Sequence, residues 1–278
     1  MRTEALDITA FETRHLDGAL GLSRAAGWPH RREDWALSLS VSTGVVGLDG
    51  DRVVGTALMT PYGEASATIN LIIVDQQRRG RGLGRRLTTA ALALAGDRAC
   101  RLVATTDGLP LYEKLGFSAT QEIYQHQGFV EVSQPLIGIE WAEAASLPDL
   151  AALDGQAYRG DRQALLGQIA SNGQFAVLRR TGATAAFAAV RPFGRGQVIG
   201  PVVAPDEEIA RQLIRFVAAS REGQFLRIDV PGDSGLSHWL EGLGFARVGG
   251  GMAMTRGESG ARQPRTPRTF ALASQAFG

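Results

Sequence analysis

Cysteine and lysine are almost missing from this chain. Cys100 is the single cysteine among 278 residues, which excludes intramolecular disulfides and cysteine-rich metal centres. Lys114 is the single lysine, so nearly all of the 29 positive charges are arginines, a bias we read as compositional. Arginine clusters alone therefore carry little weight. Long apolar runs are missing too: none approaches the roughly 18–20 residues of a membrane span. The stretch Met1-Arg2-Thr3-Glu4-Ala5-Leu6-Asp7 lacks the apolar core of a signal peptide. Neither charge sign is in excess, since 28 acidic side chains leave a net charge of +1, and no nucleic-acid or membrane partner is expected. What remains is an ordinary globular composition, 44% hydrophobic, at a length comfortable for two domains. The expectation is a soluble, cytoplasmic protein without a metal, monomeric or homodimeric.

Apolar spacing predicts strands over residues 8–11, 44–48, 52–59 and 69–74. Helices are expected over residues 15–26 and, beyond the loop Trp28-Pro29-His30-Arg31-Arg32-Glu33-Asp34-Trp35, to about residue 39. A further helix ends near Gly96, and a strand over 101–105 follows. Leu109-Pro110 then opens a short helix, Leu111-Tyr112-Glu113-Lys114-Leu115, closed by Gly116, with strands over 117–120 and 122–130 beyond it. From about Ser133 the pattern begins again. Leu16-Asp17-Gly18-Ala19-Leu20 is echoed by Leu147-Pro148-Asp149-Leu150-Ala151, and Thr60-Pro61-Tyr62-Gly63 by Arg191-Pro192-Phe193-Gly194. Leu111 to Phe117 is echoed from Trp239 to Phe245. These echoes lie 131, 131 and 128 residues downstream, and so near-constant an offset indicates two copies of one fold, residues 1–133 and 134–278. The tail past Gly257 is polar and arginine/proline-rich, with a last strand expected over 270–277.

The richest motif is Val74-Asp75-Gln76-Gln77-Arg78-Arg79-Gly80-Arg81-Gly82-Leu83-Gly84-Arg85-Arg86-Leu87, a strand, a glycine-rich turn and a helix. Glycine lets the backbone turn tightly and approach a ligand closely. The first turn of a helix presents unpaired N–H groups and the positive end of its dipole. Together these make a pyrophosphate site. A Walker loop is excluded because no Gly-Lys-Ser/Thr follows. A Rossmann fingerprint is excluded by the glycine spacing, by the motif's late position, and because Asp97 falls at the end of its helix.

With Ile72-Ile73-Val74-Asp75 leading into Arg79-Gly80-Arg81-Gly82-Leu83-Gly84-Arg85, and Leu111-Tyr112-Glu113-Lys114-Leu115-Gly116-Phe117 downstream, the sequence resembles the GCN5-related N-acetyltransferase (GNAT) superfamily. The tandem arrangement resembles a bacterial subgroup with a degenerate second domain. The resemblance implies an α/β (α+β) fold of two GNAT-like domains, each a mixed, mostly antiparallel central sheet flanked by helices. It also implies acetyl-CoA as cosubstrate and direct attack of a small-molecule amine on the thioester within a ternary complex.

Under that resemblance the amides from Arg79 to Arg85 hold the pyrophosphate, while Arg78, Arg85 and Arg86 as individual side chains read better as a solvated helix end. A backbone N–H among Ile72, Ile73 and Val74 polarises the thioester carbonyl. Tyr112 stands at the position of the acid that protonates the leaving thiolate. For removal of the amine's proton the alternatives are Asn70 through a water, Glu64, His30 and Asp34. Trp28, His30, Asp34 and Trp35 border the acceptor site, where tryptophan faces and a carboxylate suit a cation. Tyr158, Asp161 and Arg162 occupy the equivalent loop of the second copy, and an arginine there suits an acceptor carboxylate. In that second copy Asp206-Glu207-Glu208 replaces the glycine turn and Leu240 replaces Tyr112, so it is expected not to bind coenzyme A in this way. Two other readings stay open: an acyl-CoA-binding sensor with vestigial catalysis, and an enzyme whose acceptor is a protein amine.

Overall fold

Ile209, Ala210, Leu213, Ile214, Val217 and Ala218 recur every three to four residues, and all six are buried along one side of a single helix. The same rule, alternating with apolar strands, generates the rest of the molecule. A computed structural model of the chain describes residues 6–131, 138–257 and 266–278. Its first half runs β1 (Asp7–Ala10), α1 (Leu16–Ala25), α2 (Arg32–Ser40), β2 (Thr43–Asp49), β3 (Arg52–Tyr62), β4 (Ser66–Val74), α3 (Leu83–Ala95), β5 (Ala99–Ala104), α4 (Leu109–Lys114) and β6 (Ser118–Phe129). The second half runs β7 (Ile139–Trp141), α5 (Leu147–Tyr158), α6 (Gln163–Asn172), β8 (Gln174–Arg180), β9 (Ala183–Phe193), β10 (Gly196–Ala204), α7 (Glu207–Ala219), β11 (Phe225–Pro231), α8 (Ser237–Gly242), β12 (Ala246–Arg256) and β13 (Arg268–Ala271). The expected junction at residues 133 and 134 lies outside the described residues.

All thirteen strands belong to one sheet, in the order β1-β2-β3-β4-β5-β12-β6-β11-β10-β9-β8-β7, with β13 paired to β10. The pairs β4·β5 and β10·β11 are parallel. Two expectations are corrected here. The two strands expected over 117–120 and 122–130 are one, Ser118–Phe129, because the apparent break is absorbed by a register shift against β12 rather than by a turn. The last strand ends at Ala271, and the chain beyond it turns back so that the N–H of Ala273 donates to the carbonyl of Gly278 at 3.0 Å.

The two halves are also less separable than the echoes suggest, because they exchange β6 and β12. β12 pairs antiparallel with β5 from Met252↔Ala104 to Arg256↔Cys100, and β6 pairs antiparallel with β11 from Phe225↔Phe129 to Pro231↔Ile123. The run Gly249-Gly250-Gly251 permits the crossing. A Cβ on Gly250, at φ +146°, would fall 1.8 Å from the carbonyl oxygen of Ile123. The exchange leaves core residues on the far side of the junction: Met254 of β12 is fully buried among Leu87, Ala91, Leu102 and Phe117 of the first half.

Register places α3, α4, α7 and α8 on one face of the sheet. α1, α2, α5 and α6 cover the other, where each half clasps its partner's hairpin. Asp34 accepts a hydrogen bond from the Gly194 N–H in the β9–β10 turn (3.0 Å), and the His30 ring meets the Phe193 edge at 5.6 Å. Reciprocally, the Tyr158 ring meets Tyr62 at 5.2 Å beside the β3–β4 turn. Among the described residues no helix is long and apolar enough to cross a membrane.

Two outcomes are expected. Met254→Ala should destabilise the fold by about 2–5 kcal/mol, as large-to-small core changes do, and should do so for both halves together. A urea titration followed by tryptophan fluorescence and by circular dichroism should show one coincident transition in wild type and variant. Separate transitions would show independent halves. Second, burial lowers His30 from 6.5 to about 4, so in this range the unfolded ring takes up a proton that the folded ring refuses. Stability should therefore fall as pH drops from 6.5 towards 4, by on the order of 2–3 kcal/mol. The slope should flatten in His30→Gln when the urea midpoint is measured against pH.

Candidate active site

The site begins with a defect in β4. Its pairing with β3 slips between Thr56 and Leu58, opposite Asn70 to Ile73, and Leu71 at the slip has φ +47°. A leucine in the left-handed region is strained by about 1–2 kcal/mol, and the Thr56 hydroxyl holds it by donating to the Leu71 carbonyl at 2.7 Å. On the other side, β4 pairs with β5 only from Ser66↔Ala99 to Thr68↔Arg101. Past Thr68 the two strands diverge into a V. Ile72 and Val74 then face the α3 side, and Leu71 and Ile73 the α1 side.

At the wide end of the V stands the N-terminus of α3. Gly80 (φ +74°) and Gly82 (φ +77°) take the left-handed backbone that this turn requires, and a Cβ on either would enter space holding no protein atom within 4 Å. The Arg86 N–H is the first to enter the helix, donating to the Gly82 carbonyl. The N–H groups from Gly80 to Arg85 have no partner among the described residues. Of the five neighbouring arginines, Arg78 is paired with Asp49, Arg86 donates to the Leu6 carbonyl, and Arg79 lies 3.8 Å from Asp107. Arg81 and Arg85 are exposed. Leu83 is buried in the core and Gly84 half-buried, so both fix the helix rather than face outward. The space, the aimed amides and the two exposed guanidiniums fit a pyrophosphate.

Tyr112 lies on the α3 side of the V, 8% exposed, its ring edge-on to Phe117 at 6.1 Å. Burial pushes its phenol up to about 12, and its hydroxyl makes no hydrogen bond to a described residue. Asn70 lies on the opposite face. Its Nδ2 donates to the hydroxyls of Thr60 (2.8 Å) and Thr68 (3.2 Å), while its Oδ1 is buried without a partner.

On that same face a cavity of about 300 Å³ opens at the apex of the V. Its floor is formed by Thr68, Arg101 and Val103 with Gln121 of β6 and Ala253 and Thr255 of β12. Its walls are the end of α5 (Tyr158, Arg159) and the C-terminal segment (Arg268, Thr269, Gln275). The Tyr158 ring is held between the guanidiniums of Arg162 (3.9 Å) and Arg101 (4.7 Å). Of these residues only Tyr158 was legible as a site candidate, because the others are scattered over the whole chain and meet only through the exchanged strands.

The remaining sequence candidates do not line this cavity. Trp28, His30 and Asp34 sit in the interdomain clasp. Burial alone would push the Asp34 carboxyl up, but hydrogen bonds from the Arg31 side chain and backbone and from the Gly194 N–H hold it below the usual carboxylate range. His30, Asp34 and Trp35 with Leu71 and Arg191 enclose about 10 Å³, room for one water. Trp35 is fully buried and donates to the Ser23 hydroxyl at 2.9 Å. Arg162 is likewise corrected from a ligand position to a buried one, with both Asp154 oxygens at 2.8 and 2.6 Å. Glu64 is 97% exposed beside Arg98 at the β3–β4 turn and does not line the cavity. Among the described residues no metal-ligating group of three or more gathers.

The second half repeats the V and fills it. β10 pairs with β11 only over Gln197–Ile199, after which β13 enters between them, pairing with β10 from Val202↔Ala271 to Ala204↔Arg268. The Leu272 N–H donates to the Asp229 carbonyl of β11 at 2.8 Å. The α7 N-terminus is closed as well, since the Asp206 carboxylate accepts from the Ile209 N–H at 2.9 Å. Leu240, fully buried, stands where the first half has Tyr112.

Comparison with known proteins agrees with this two-fold plan. One acetyltransferase (GNAT) domain family matches residues 41–119 and another matches residues 150–268. The uncharacterized N-acetyltransferase YitH of Bacillus subtilis is 31% identical over 239 residues, 82% of this chain and 83% of that protein. A mycothiol acetyltransferase of Rhodococcus opacus is 34% identical over 124 residues, 42% of this chain and 36% of that protein. Among solved structures, a candidate acetyltransferase from Pyrococcus horikoshii superposes with a TM-score of 0.84 at 19% identity, covering 100% of this chain and 98% of its own. A tandem GNAT protein from the clavulanic acid biosynthesis pathway gives 0.63 at 18% identity, covering 90% and 98%. The structural likenesses speak to the fold, and the identity to YitH across most of both chains decides the family. This chain belongs to the GNAT N-acetyltransferases, an acyltransferase built as two GNAT domains in tandem.

Proposed function

We propose that the chain transfers an acetyl group from acetyl-CoA to the primary amine of a small molecule, by direct attack in a ternary complex assembled on residues 1–133. The observation that carries this reading is the asymmetry of the two Vs. The first has an open cleft, uncapped α3 amides and a buried tyrosine, and the second lacks all three. Residues 134–278 then serve as a degenerate domain that roofs the acceptor cavity.

The N–H groups from Gly80 to Arg85, with Arg79, Arg81 and Arg85, hold the pyrophosphate of the cosubstrate, and the unpaired edge of β4 around Ile72, Ile73 and Val74 supplies the carbonyl-polarising N–H. The amine approaches from the α1 side, where the partnerless Asn70 Oδ1 accepts one of its hydrogens. The C–N bond forms as the C–S bond breaks. The amine's surplus proton passes to water, because His30, Asp34 and Glu64 are committed elsewhere. Tyr112, on the α3 side, protonates the departing thiolate and regains its proton from solvent. Cover of the cavity by α5 and the C-terminal segment favours a small acceptor over a protein one.

Tyr112→Phe should lower kcat by about 10²–10⁴-fold, the usual contribution of general acid–base catalysis, with the affinity for acetyl-CoA little changed. Thiol release and calorimetry check the two arms, and a fully active variant would overturn the acid role of Tyr112, whereas acetyl-CoA binding without turnover of any amine by the wild type would leave the sensor reading in its place. Because the phenol is raised to about 12 and acts in its protonated form, the rate should show no descending limb up to about pH 10. The ascending limb should follow deprotonation of the amine used. Gly82→Val should weaken acetyl-CoA binding by at least about tenfold, since a β-branched residue is costly at φ +77° and its side chain enters the phosphate space.

A further inference from the structure

Hydrogen bonds at the two ends of β4 fix which way its main-chain groups point. At the end nearer α3 the Asp75 N–H donates to the Val54 carbonyl of β3 at 2.9 Å. Alternation turns Ile73 to β3 as well, opposite Thr56, and Val74 to the V. At the other end the Ala99 N–H donates to the Ala65 carbonyl at 3.0 Å, so Ala67 and Ile69 face β5 while Thr68 and Asn70 face β3. Asn70 and Ile73 thus face the same way with Leu71 and Ile72 between them. Opposite those two, β3 offers Ala57 alone, between Thr56 and Leu58. Ala57 is itself turned away. The Phe11 N–H takes the Gly44 carbonyl at 2.8 Å, so Val45, the next residue, faces β3 and its partner there, Ala57, faces β2. The Leu71 carbonyl therefore meets no main-chain donor of β3, and a buried carbonyl needs one. It finds the hydroxyl of Thr56, a fully buried residue, at 2.7 Å.

The peptide plane turns that bond into a direction. In a planar trans peptide the C=O and the N–H point opposite ways, so a Leu71 carbonyl held towards Thr56 sends the Ile72 N–H away from β3. That is the side from which β5 has departed after Thr68. The Ile73 N–H is turned to β3, and the Val74 N–H, though it faces the V, stands nearer the α3 amides. Ile72 lies towards Asn70, the end at which the amine meets the thioester. Resting on the acetyltransferase reading above, we propose that Thr56 is a positioning residue for acetyl transfer. Its hydroxyl holds the peptide between Leu71 and Ile72 so that the Ile72 N–H donates to the thioester oxygen as negative charge develops there. Thr56 touches neither reactant and acts through this one peptide. A valine of the same shape would fill its place without holding the carbonyl, and the left-handed backbone at Leu71 would lose the bond that fixes its plane.

The test pairs turnover with the vibration of the bound thioester. In Thr56→Val kcat should fall by about 10²-fold, the scale of a misplaced catalytic group, with KM for acetyl-CoA little changed. Thr56→Ser keeps the hydroxyl and should regain most of the lost rate. Infrared difference spectra of bound acetyl-CoA, labelled at its carbonyl with a heavy carbon isotope, give the second readout. A polarised carbonyl vibrates at lower frequency, so the band should lie below its free position in wild type and T56S and return towards it in T56V. A merely structural role would lower stability or acetyl-CoA affinity and leave the band of the bound fraction where it was. The proposal is overturned by an unshifted band in wild type, by a band or a kcat in T56V equal to wild type, or by T56S as impaired as T56V. Where T56V does not fold, Thr56→Ala is read in the same way. If acetyl-CoA binds with a Thr56-dependent band but no amine releases thiol, the acetyltransferase reading fails and the positioning of the Ile72 N–H stands.

Discussion

Main-chain hydrogen bonding between β5 and β12 is the constraint from which the rest of this molecule follows. In an ordinary tandem protein each domain closes its own sheet, and the linker sets how the two sit. Here the strand that flanks β5 is contributed by the far half, and the strand that flanks β11 by the near one. A single continuous sheet results, and neither half can complete its hydrogen bonding alone. The clasps on the helix-covered face, Asp34 on the Gly194 N–H and Tyr158 against Tyr62, are secondary fastenings on an arrangement the strands have already determined.

Within that frame the same geometric device occurs twice with opposite outcomes. A parallel pair joined at one end and splayed at the other leaves a row of main-chain groups unpaired, and unpaired groups must meet protein, solvent or ligand. In the second half they meet β13, and the Asp206 carboxylate takes the helix N–H that a phosphate would need. In the first half β4 leaves β5 after Thr68, and the α3 amides have no partner among the described residues. Two copies of one fold bring two such Vs, and the chain's last segment fills one while lining the cavity beside the other.

Much of this was legible residue by residue. The helical spacing of residues 16–25 and 83–95, the glycine turn and the tyrosine after the next strand all rest on local chemistry. So does the failure of the second copy, where Asp206 and Leu240 announce a closed helix end and a missing acid. The acceptor side was read less well. Trp28, His30 and Asp34 have the right residue types for binding a cation, yet their loop is consumed by contact with Phe193 and Gly194, some 160 residues away in sequence for the Asp34–Gly194 bond. Arg162 has the right type for a carboxylate, but Asp154, two turns earlier on the chain, neutralises it in the core.

By itself, then, the sequence determined the identity of the fold, the duplication and the glycine turn that leaves the α3 N-terminus uncapped, because each depends on periodicity or on residues adjacent along the chain. Only the tertiary structure decided that the halves share strands, that β13 fills the second cleft, and that Arg268, Tyr158 and Thr68 border one cavity. Those facts depend on which strand wins a place beside β5 and β11. That competition is settled by long-range pairing, and although the run Gly249-Gly250-Gly251 that lets β12 cross is local, the sequence around it does not name the strand it meets.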